Sequence, residues 1–139
     1  VTHHSSAYAL CVALRDRILR YPLGLHFTEA DIEAEVDDFQ LSAWQDGRLL
    51  ACVSLKPLDA FTIKMRQLAV HENWQRQGIG QHLVWYAEDF AREHLYEKMV
   101  LHAREAAIPF YERLGYKAIG ERFTEVGLPH QAFEKELTL

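Results

Sequence analysis

What this chain can fold into is constrained most by one stretch, Gln75-Arg76-Gln77-Gly78-Ile79-Gly80, polar and rich in glycine, set between a strand-like run and a helical one. Upstream, Thr62–Val70 carries the residues of a strand. Downstream, residues 81–94 place Leu83, Ala87, Phe90 and Ala91 at helical spacing on one face, with Glu88 and Arg92 expected to pair on the outside. Residues 98–103 read as a further strand. Strand, helix and strand over residues 62–103 are long enough for a right-handed crossover between two parallel strands.

The elements around that unit read as antiparallel. Residues 41–45 and 48–55 are strand-like runs joined by Asp46-Gly47, the dipeptide best suited to the positive backbone angles of a tight hairpin turn. Residues 116–126 and 130–137 form a closing strand pair after a short helix over 106–114, which Gly115 stops. At the start a short strand is expected, then a helix capped by Ser6. In that helix Leu10, Leu14 and Ile18 repeat every four residues, and Arg15, Asp16 and Arg20 turn elsewhere. Tyr21-Pro22-Leu23-Gly24 ends it, and Thr28-Glu29-Ala30-Asp31, a capping-box-like pattern, leads into an acidic helical stretch over 32–38. The expected fold class is α/β (α+β mixed): a central mixed, mostly antiparallel sheet with one parallel strand-helix-strand unit and helices on both faces. At 139 residues, 49% of them hydrophobic, the chain has enough apolar material for one core, and a single domain over 1–139 is the simplest count.

Composition narrows the partners. A formal charge of -5 argues against general nucleic-acid binding and favours a cationic or amine partner. No run approaches the roughly eighteen apolar residues a membrane span needs, and Val1-Thr2-His3-His4-Ser5-Ser6 lacks the layout of a signal peptide, so a soluble, cytoplasmic protein is expected, without nucleic acid or membrane as partner. Cys11 and Cys52 are the only cysteines, too few for a disulfide framework or a thiolate zinc site, and read as small buried hydrophobes. The histidines show no ligand spacing with carboxylates, so no metal is expected.

A glycine-rich loop that feeds a helix N-terminus binds anions. The first N–H groups of the helix point outward with the positive end of its dipole, and Gly78 and Gly80 let the backbone approach a phosphate. Arg76 adds a full charge. Neither the lysine of a nucleotide P-loop nor the three-glycine dinucleotide fingerprint is present, and a plain tight turn also explains two glycines.

The string from Gln67 to Gly80 resembles the acetyl-CoA-binding motif of the GNAT superfamily of N-acyltransferases, Gln/Arg-x-x-Gly-x-Gly/Ala, with Gln75, Gly78 and Gly80 in its three places. A second family segment, Ala-x-x-Phe-Tyr-x-x-x-Gly-Phe/Tyr, is matched by Ala107, Phe110-Tyr111 and Gly115-Tyr116. The resemblance spans residues 41–137, and the tail Gly127-Leu128-Pro129-His130 followed by Lys135 is similar to small bacterial members related to the ElaA and YjcF groups. It implies an acetyl-CoA-dependent N-acetyltransferase that moves acetyl to a small-molecule or peptide amine in a ternary complex; a homodimer stands beside the amine among the partners considered. Backbone groups of Leu68, Ala69 and Val70 would hold the pantetheine arm as an added strand, and Gln75, Arg76, Gln77, Gly78, Ile79, Gly80 and Gln81 the pyrophosphate, with Ala107 and Phe110 also on the cofactor. A module that binds acyl-CoA without turnover is the competing reading, since fold does not guarantee activity.

Amine acylation needs a neutral amine, a donor for the tetrahedral oxyanion and an acid for the departing thiolate. By the resemblance, Tyr111 is the acid and the Val70 N–H the oxyanion donor. The bland alternative for Tyr111 is packing against the core. Several family members carry a glutamate early on the strand before the motif, where this chain reads Ile63-Lys64-Met65-Arg66. His130, Glu125 and His102 remain as base candidates, with His130 leading. Tyr21 to Leu25 lies where the family borders its acceptor pocket, or simply turns the chain. Trp44, Trp74 and Trp85 read as packing or cofactor-edge groups.

Overall fold

The computed structural model describes residues 5–137; the short strand expected at the very start lies outside the described residues. The chain divides into two compact units. One comprises the chain through Lys56 with Arg66–Ala87, the other Pro57–Met65 with the chain from Glu88 on.

In the first unit, helix α1 (Ser6–Arg15) starts one residue earlier than expected. Ser5 is its cap, its hydroxyl accepting the Tyr8 N–H at 3.0 Å. The helix widens into a π-helical segment over Asp16–Arg20, tightens into a 3-10 turn over Tyr21–Leu23 and stops at Gly24, whose φ of 73° places it in the left-handed region. Helix α2 (Glu29–Glu33) opens with a reciprocal capping box: the Asp31 N–H donates to Thr28 Oγ1 at 3.1 Å and the Thr28 N–H donates to Asp31 Oδ2 at 2.9 Å. It ends at Glu33, so most of the acidic run to Asp38 is turn and not helix. Strands β1 (Phe39–Gln45) and β2 (Arg48–Pro57) pair antiparallel about Asp46 and Gly47, both at positive φ (51° and 77°), as a primed hairpin turn requires.

The inward face of α1 is not the expected one. Tyr8, Cys11, Leu14 and Arg15 are buried, whereas Leu10 is 53% exposed. Arg15, expected to turn outward, is fully enclosed because its charge is matched there. Its Nη2 donates to both Glu35 carboxylate oxygens at 2.9 Å, and its Nη1 to Ser54 Oγ at 3.1 Å. The Tyr8 hydroxyl donates to Glu35 Oε1 at 2.7 Å, and the Ser54 hydroxyl to Gln40 Oε1 at 2.7 Å. Buried charges persist only when paired and hydrogen-bonded in this way. Cys11 and Cys52 are buried free thiols, as expected, with the Cys52 Sγ 3.7 Å from the Cys11 carbonyl.

In the second unit the parallel pair expected from the crossover is present. Strand β3 (Thr62–Val70) runs alongside β4 (Lys98–Arg104), with Thr62 opposite Lys98 and Met65 opposite Leu101. Strand β6 (Leu128–Glu136) pairs antiparallel with β4 and with β5 (Lys117–Glu125). The sheet order is β1-β2-β3-β4-β6-β5. Alternate residues Ile63, Met65, Met99, Leu101 and Ala103 are buried, with Phe133 and Leu137. Helix α3 (Ile79–Glu93) links β3 to β4, and the short α4 (Ile108–Arg113) precedes β5. The register of β5 against β6 breaks between Ile119 and Phe123, and there the Gln131 amide donates to the Ile119, Gly120 and Ala132 carbonyls at 3.0, 3.2 and 3.1 Å.

Glu88, expected outside, is 2% exposed. Its carboxylate accepts from the Tyr116 hydroxyl at 2.8 Å and from Lys135 Nζ at 3.1 Å, while Arg92 stands 3.9 Å away and donates instead to Asp89 and to the Leu137 carbonyl. The i,i+4 spacing is satisfied, but two partners from outside the helix own the carboxylate.

Candidate functional site

The loop from β3 to α3 lies wholly in the first unit. Within β3 itself Gln67 takes a φ of 58°, interrupting the regular pleat just before Leu68, Ala69 and Val70. Its Oε1 is buried without a hydrogen-bond partner among the described residues. The Val70 carbonyl accepts from the Gln75 side chain at 2.9 Å, so the first motif glutamine braces the end of the strand. A single 3-10 turn, Glu72–Trp74, is closed by His71, whose Nδ1 accepts the Asn73 N–H at 3.1 Å. Gln77 Nε2 donates to the Asn73 carbonyl at 3.3 Å.

Arg76 and Gly78 both take positive φ, 62° and 81°, and residues 75–78 are exposed. Helix α3 begins at Ile79, two residues before the expected start, and its first ladder bond runs from the His82 N–H to the Gly78 carbonyl at 3.0 Å. The N–H groups of Ile79, Gly80 and Gln81 therefore belong to the first turn, where no intrahelical acceptor exists. First-turn N–H groups without intrahelical acceptors, a helix dipole and Arg76 make this end of α3 able to hold an anion.

Gly78→Glu should lower affinity for a phosphate-bearing ligand, since it sets a negative side chain at the loop and forces a non-glycine residue to a φ of 81°. Among the described residues the only atom a Cβ would meet is His82 Cδ2 at 3.8 Å, an ordinary contact, so the cost to the fold should stay at about 1–2 kcal/mol, that of a left-handed non-glycine residue. Isothermal calorimetry beside a urea melt checks both halves. Undiminished affinity for acetyl-CoA in the folded variant would move the phosphate site elsewhere.

Ala107, Phe110 and Tyr111 lie in the second unit, at the start and in the first turns of α4. Tyr111 is buried, its ring edge-on to Phe110 (4.9 Å between centroids) and to Tyr116 (5.8 Å). The Tyr111 hydroxyl makes no hydrogen bond among the described residues. Burial pushes its phenol well above the ordinary value, so the O–H is retained throughout the physiological range. Beneath it, Lys135 Nζ ties the Leu114 carbonyl (2.8 Å) to Glu88. Glu88 carried no local signal of this role, because Tyr116 and Lys135 lie 28 and 47 residues away.

The three base candidates, read singly in the sequence, stand together. His102 Nδ1 is 3.0 Å from Glu125 Oε1, and His130 Nε2 is 3.6 Å from Glu125 Oε2. Lys64 Nζ lies 3.3 Å from His102 Nδ1, and the Phe123 ring meets His102 at 4.9 Å and His130 at 5.9 Å. His130 is almost wholly buried and its Nδ1 is 2.9 Å from the Leu128 carbonyl. Burial raises the Glu125 carboxyl, but the His102 hydrogen bond and the charges of His102, His130 and Lys64 outweigh it and hold the group below the usual carboxylate range. Among the described residues no group of three or more His, Cys, Asp or Glu is placed to hold a metal ion. No helix among them is long and apolar enough to cross a membrane.

A concavity of about 290 Å³ in the first unit is lined by Ala9, Val12, Ala13, Asp16, His26 and Phe27. Asp16 accepts the Phe27 N–H at 3.0 Å and faces His26 Nδ1 at 2.8 Å, and Tyr21 sets its ring 5.9 Å from His26. The His26 hydrogen bond leads the causes that hold the Asp16 carboxyl below its ordinary value.

Residues 10–116 match the family model described as the acetyltransferase (GNAT) family. The Bacillus subtilis protein YyaT is 27% identical over 120 residues, covering 81% of this chain and 79% of YyaT. Among solved structures, Escherichia coli ElaA superposes with a TM-score of 0.81 at 19% identity, covering 95% of this chain and 92% of ElaA. A GNAT family acetyltransferase from Elizabethkingia anophelis, with acetyl-CoA bound, gives a TM-score of 0.75 at 19% identity over 96% of this chain and 94% of its own.

Proposed function

Because this chain belongs to the acetyltransferase (GNAT) family, we propose that it is an acetyl-CoA-dependent N-acetyltransferase that passes the acetyl group directly to a primary amine in a ternary complex. The observation that carries this reading is the anion-ready end of α3, where Arg76, Gly78 and the free N–H groups of the first turn follow a strand that ends at Val70. In it, residues Gln75 to Gln81 hold the pyrophosphate and the backbone of Leu68, Ala69 and Val70 the pantetheine arm. Ala107 and Phe110 contribute apolar surface to the cofactor.

The chemistry needs little beyond positioning. The amine nitrogen attacks the thioester carbonyl, the oxyanion so formed accepts from the Val70 N–H, and collapse of the intermediate expels the CoA thiolate, which takes the Tyr111 proton. His130 takes the proton that the ammonium form of the acceptor gives up before attack, and the proton left on nitrogen after attack passes to solvent, from which the Tyr111 phenolate recovers its own. Acceptors of the class include small amines, polyamines, aminoglycosides, peptide N-termini and lysine. The concavity beside Asp16, His26 and Phe27 adjoins the Tyr21 to Leu25 segment and is the part of the first unit we assign to acceptor selection.

The test is to incubate the protein with acetyl-CoA and one amine of each class and to measure free thiol, with calorimetry of acetyl-CoA alone in parallel. Thiol release with at least one amine, and binding that raises the melting temperature by mass action, are expected. Binding without release from any of them would leave a module that holds the cofactor without turning it over. No binding at millimolar acetyl-CoA would remove the reading altogether.

A further inference from the structure

We infer that Glu125 is a positioning residue for His130, the fixed negative partner of the imidazolium that forms when His130 takes the proton of the attacking amine. The inference rests on the reading of His130 as the base. Three residues that the sequence offered as alternatives would then be one device.

The geometry assigns each ring nitrogen a task. His130 Nδ1 faces the Leu128 carbonyl at 2.9 Å, an acceptor only, so the neutral ring keeps its hydrogen on Nδ1 and its lone pair on Nε2. Nε2 lies 3.6 Å from Glu125 Oε2, beyond hydrogen-bond reach, as suits a lone pair beside a carboxylate with no proton to share. When the ammonium N–H bond breaks, its electron pair stays on the amine nitrogen for attack on the thioester, and a new N–H bond forms at Nε2. The new positive charge then has the Glu125 carboxylate 3.6 Å away as its negative partner. Glu125 reaches toward solvent, its side chain 46% exposed while that of His130 is 4% exposed.

The carboxylate is held for this task. His102 Nδ1 fixes Oε1 at 3.0 Å, and Phe123, wedged against both imidazoles, sets their rings. The other charged groups around His130 are Lys64 on β3, 3.3 Å from His102 Nδ1, and Arg104 on β4, opposite His130 in the register. Glu105 and Arg122 nearby pair with each other at 2.9 Å. The His102 hydrogen bond and the neighbouring positive charges hold the Glu125 carboxyl below the usual carboxylate range and so favour its ionised form.

Glu125→Gln keeps the shape and removes the charge. In ¹⁵N spectra of the labelled full chain, the pH at which the His130 ring takes its second proton should fall by about one pH unit in the variant, since an anion within about 4 Å favours the cationic ring. The acid limb of the kcat profile should move the same way, and kcat should drop about tenfold with the KM for acetyl-CoA unchanged. Glu125→Asp, which keeps the charge, should recover part of both. An unchanged His130 titration in folded Glu125→Gln overturns the inference directly. A His130→Ala enzyme with the parental rate and pH profile overturns the base assignment, and this inference with it, whatever the ring titration shows.

Discussion

Tyr111→Phe is expected to fold and bind acetyl-CoA like the parent while turning over roughly 10²–10⁴ times more slowly, the usual loss for a positioned proton donor. The structure makes this substitution unusually clean. The ring is what packs, edge-on to Phe110 and Tyr116, and phenylalanine keeps it. The hydroxyl has no hydrogen-bond partner among the described residues, so its deletion strands no buried group and leaves no donor or acceptor to be penalised. A melting temperature within a few degrees of the parent, together with a fall in single-turnover rate, would trace the loss to the missing O–H. The deficit should shrink with an acyl donor whose thiol is more acidic than CoA, because a thiolate that leaves readily needs less help. Turnover at the parental rate would make Tyr111 a packing residue and hand the protonation to water.

Arg15→Met should cost about 3–5 kcal/mol of stability, the range for breaking a buried ion pair from one side. Methionine roughly fills the volume, so a cavity is not the cause. The cost comes from Glu35, 2% exposed, which loses both bonds to Arg15 Nη2 and keeps only the Tyr8 hydroxyl. Ser54 Oγ loses a donor as well. Arg15 also sits 4.8 Å over the Phe27 ring, a contact the thioether replaces only in part. Urea denaturation is the measurement, with Arg15→Met/Glu35→Leu as the control. If the uncompensated carboxylate is the cause, the double variant should be more stable than the single one, although it has lost more bonds. A double variant less stable than Arg15→Met would assign the cost to packing. The acetyl-CoA site proposed at the end of α3 offers a second readout, since that loop belongs to the same unit.

Local chemistry alone made several elements readable. Asp46-Gly47 sets its own backbone angles, the Thr28 and Asp31 box closes over four residues, and Gly24 stops its helix by conformational freedom that needs no partner elsewhere. The glycine-rich loop between β3 and α3 belongs to the same class, since a polar glycine-rich stretch between a strand and a helix dictates its own geometry. It lies where expected, though α3 starts two residues early and takes Gly80 into its first turn.

What residues separated in sequence do to one another was not legible. Arg15 and Glu88 read as solvent-facing charges because periodicity sees only the helix that carries a residue. Each is enclosed because a partner arrives from far along the chain, Glu35 for one and Lys135 with Tyr116 for the other. The same blindness kept His102, Glu125 and His130 apart as rival candidates. Only the pairing of β6 with β4 on one side and β5 on the other brings one carboxylate between two imidazoles. A residue's type and its neighbours in sequence set the backbone, because torsion angles and caps are short-range. The ionisation and reach of a buried side chain depend on distance and on exclusion of water, and these exist only once the strands have paired.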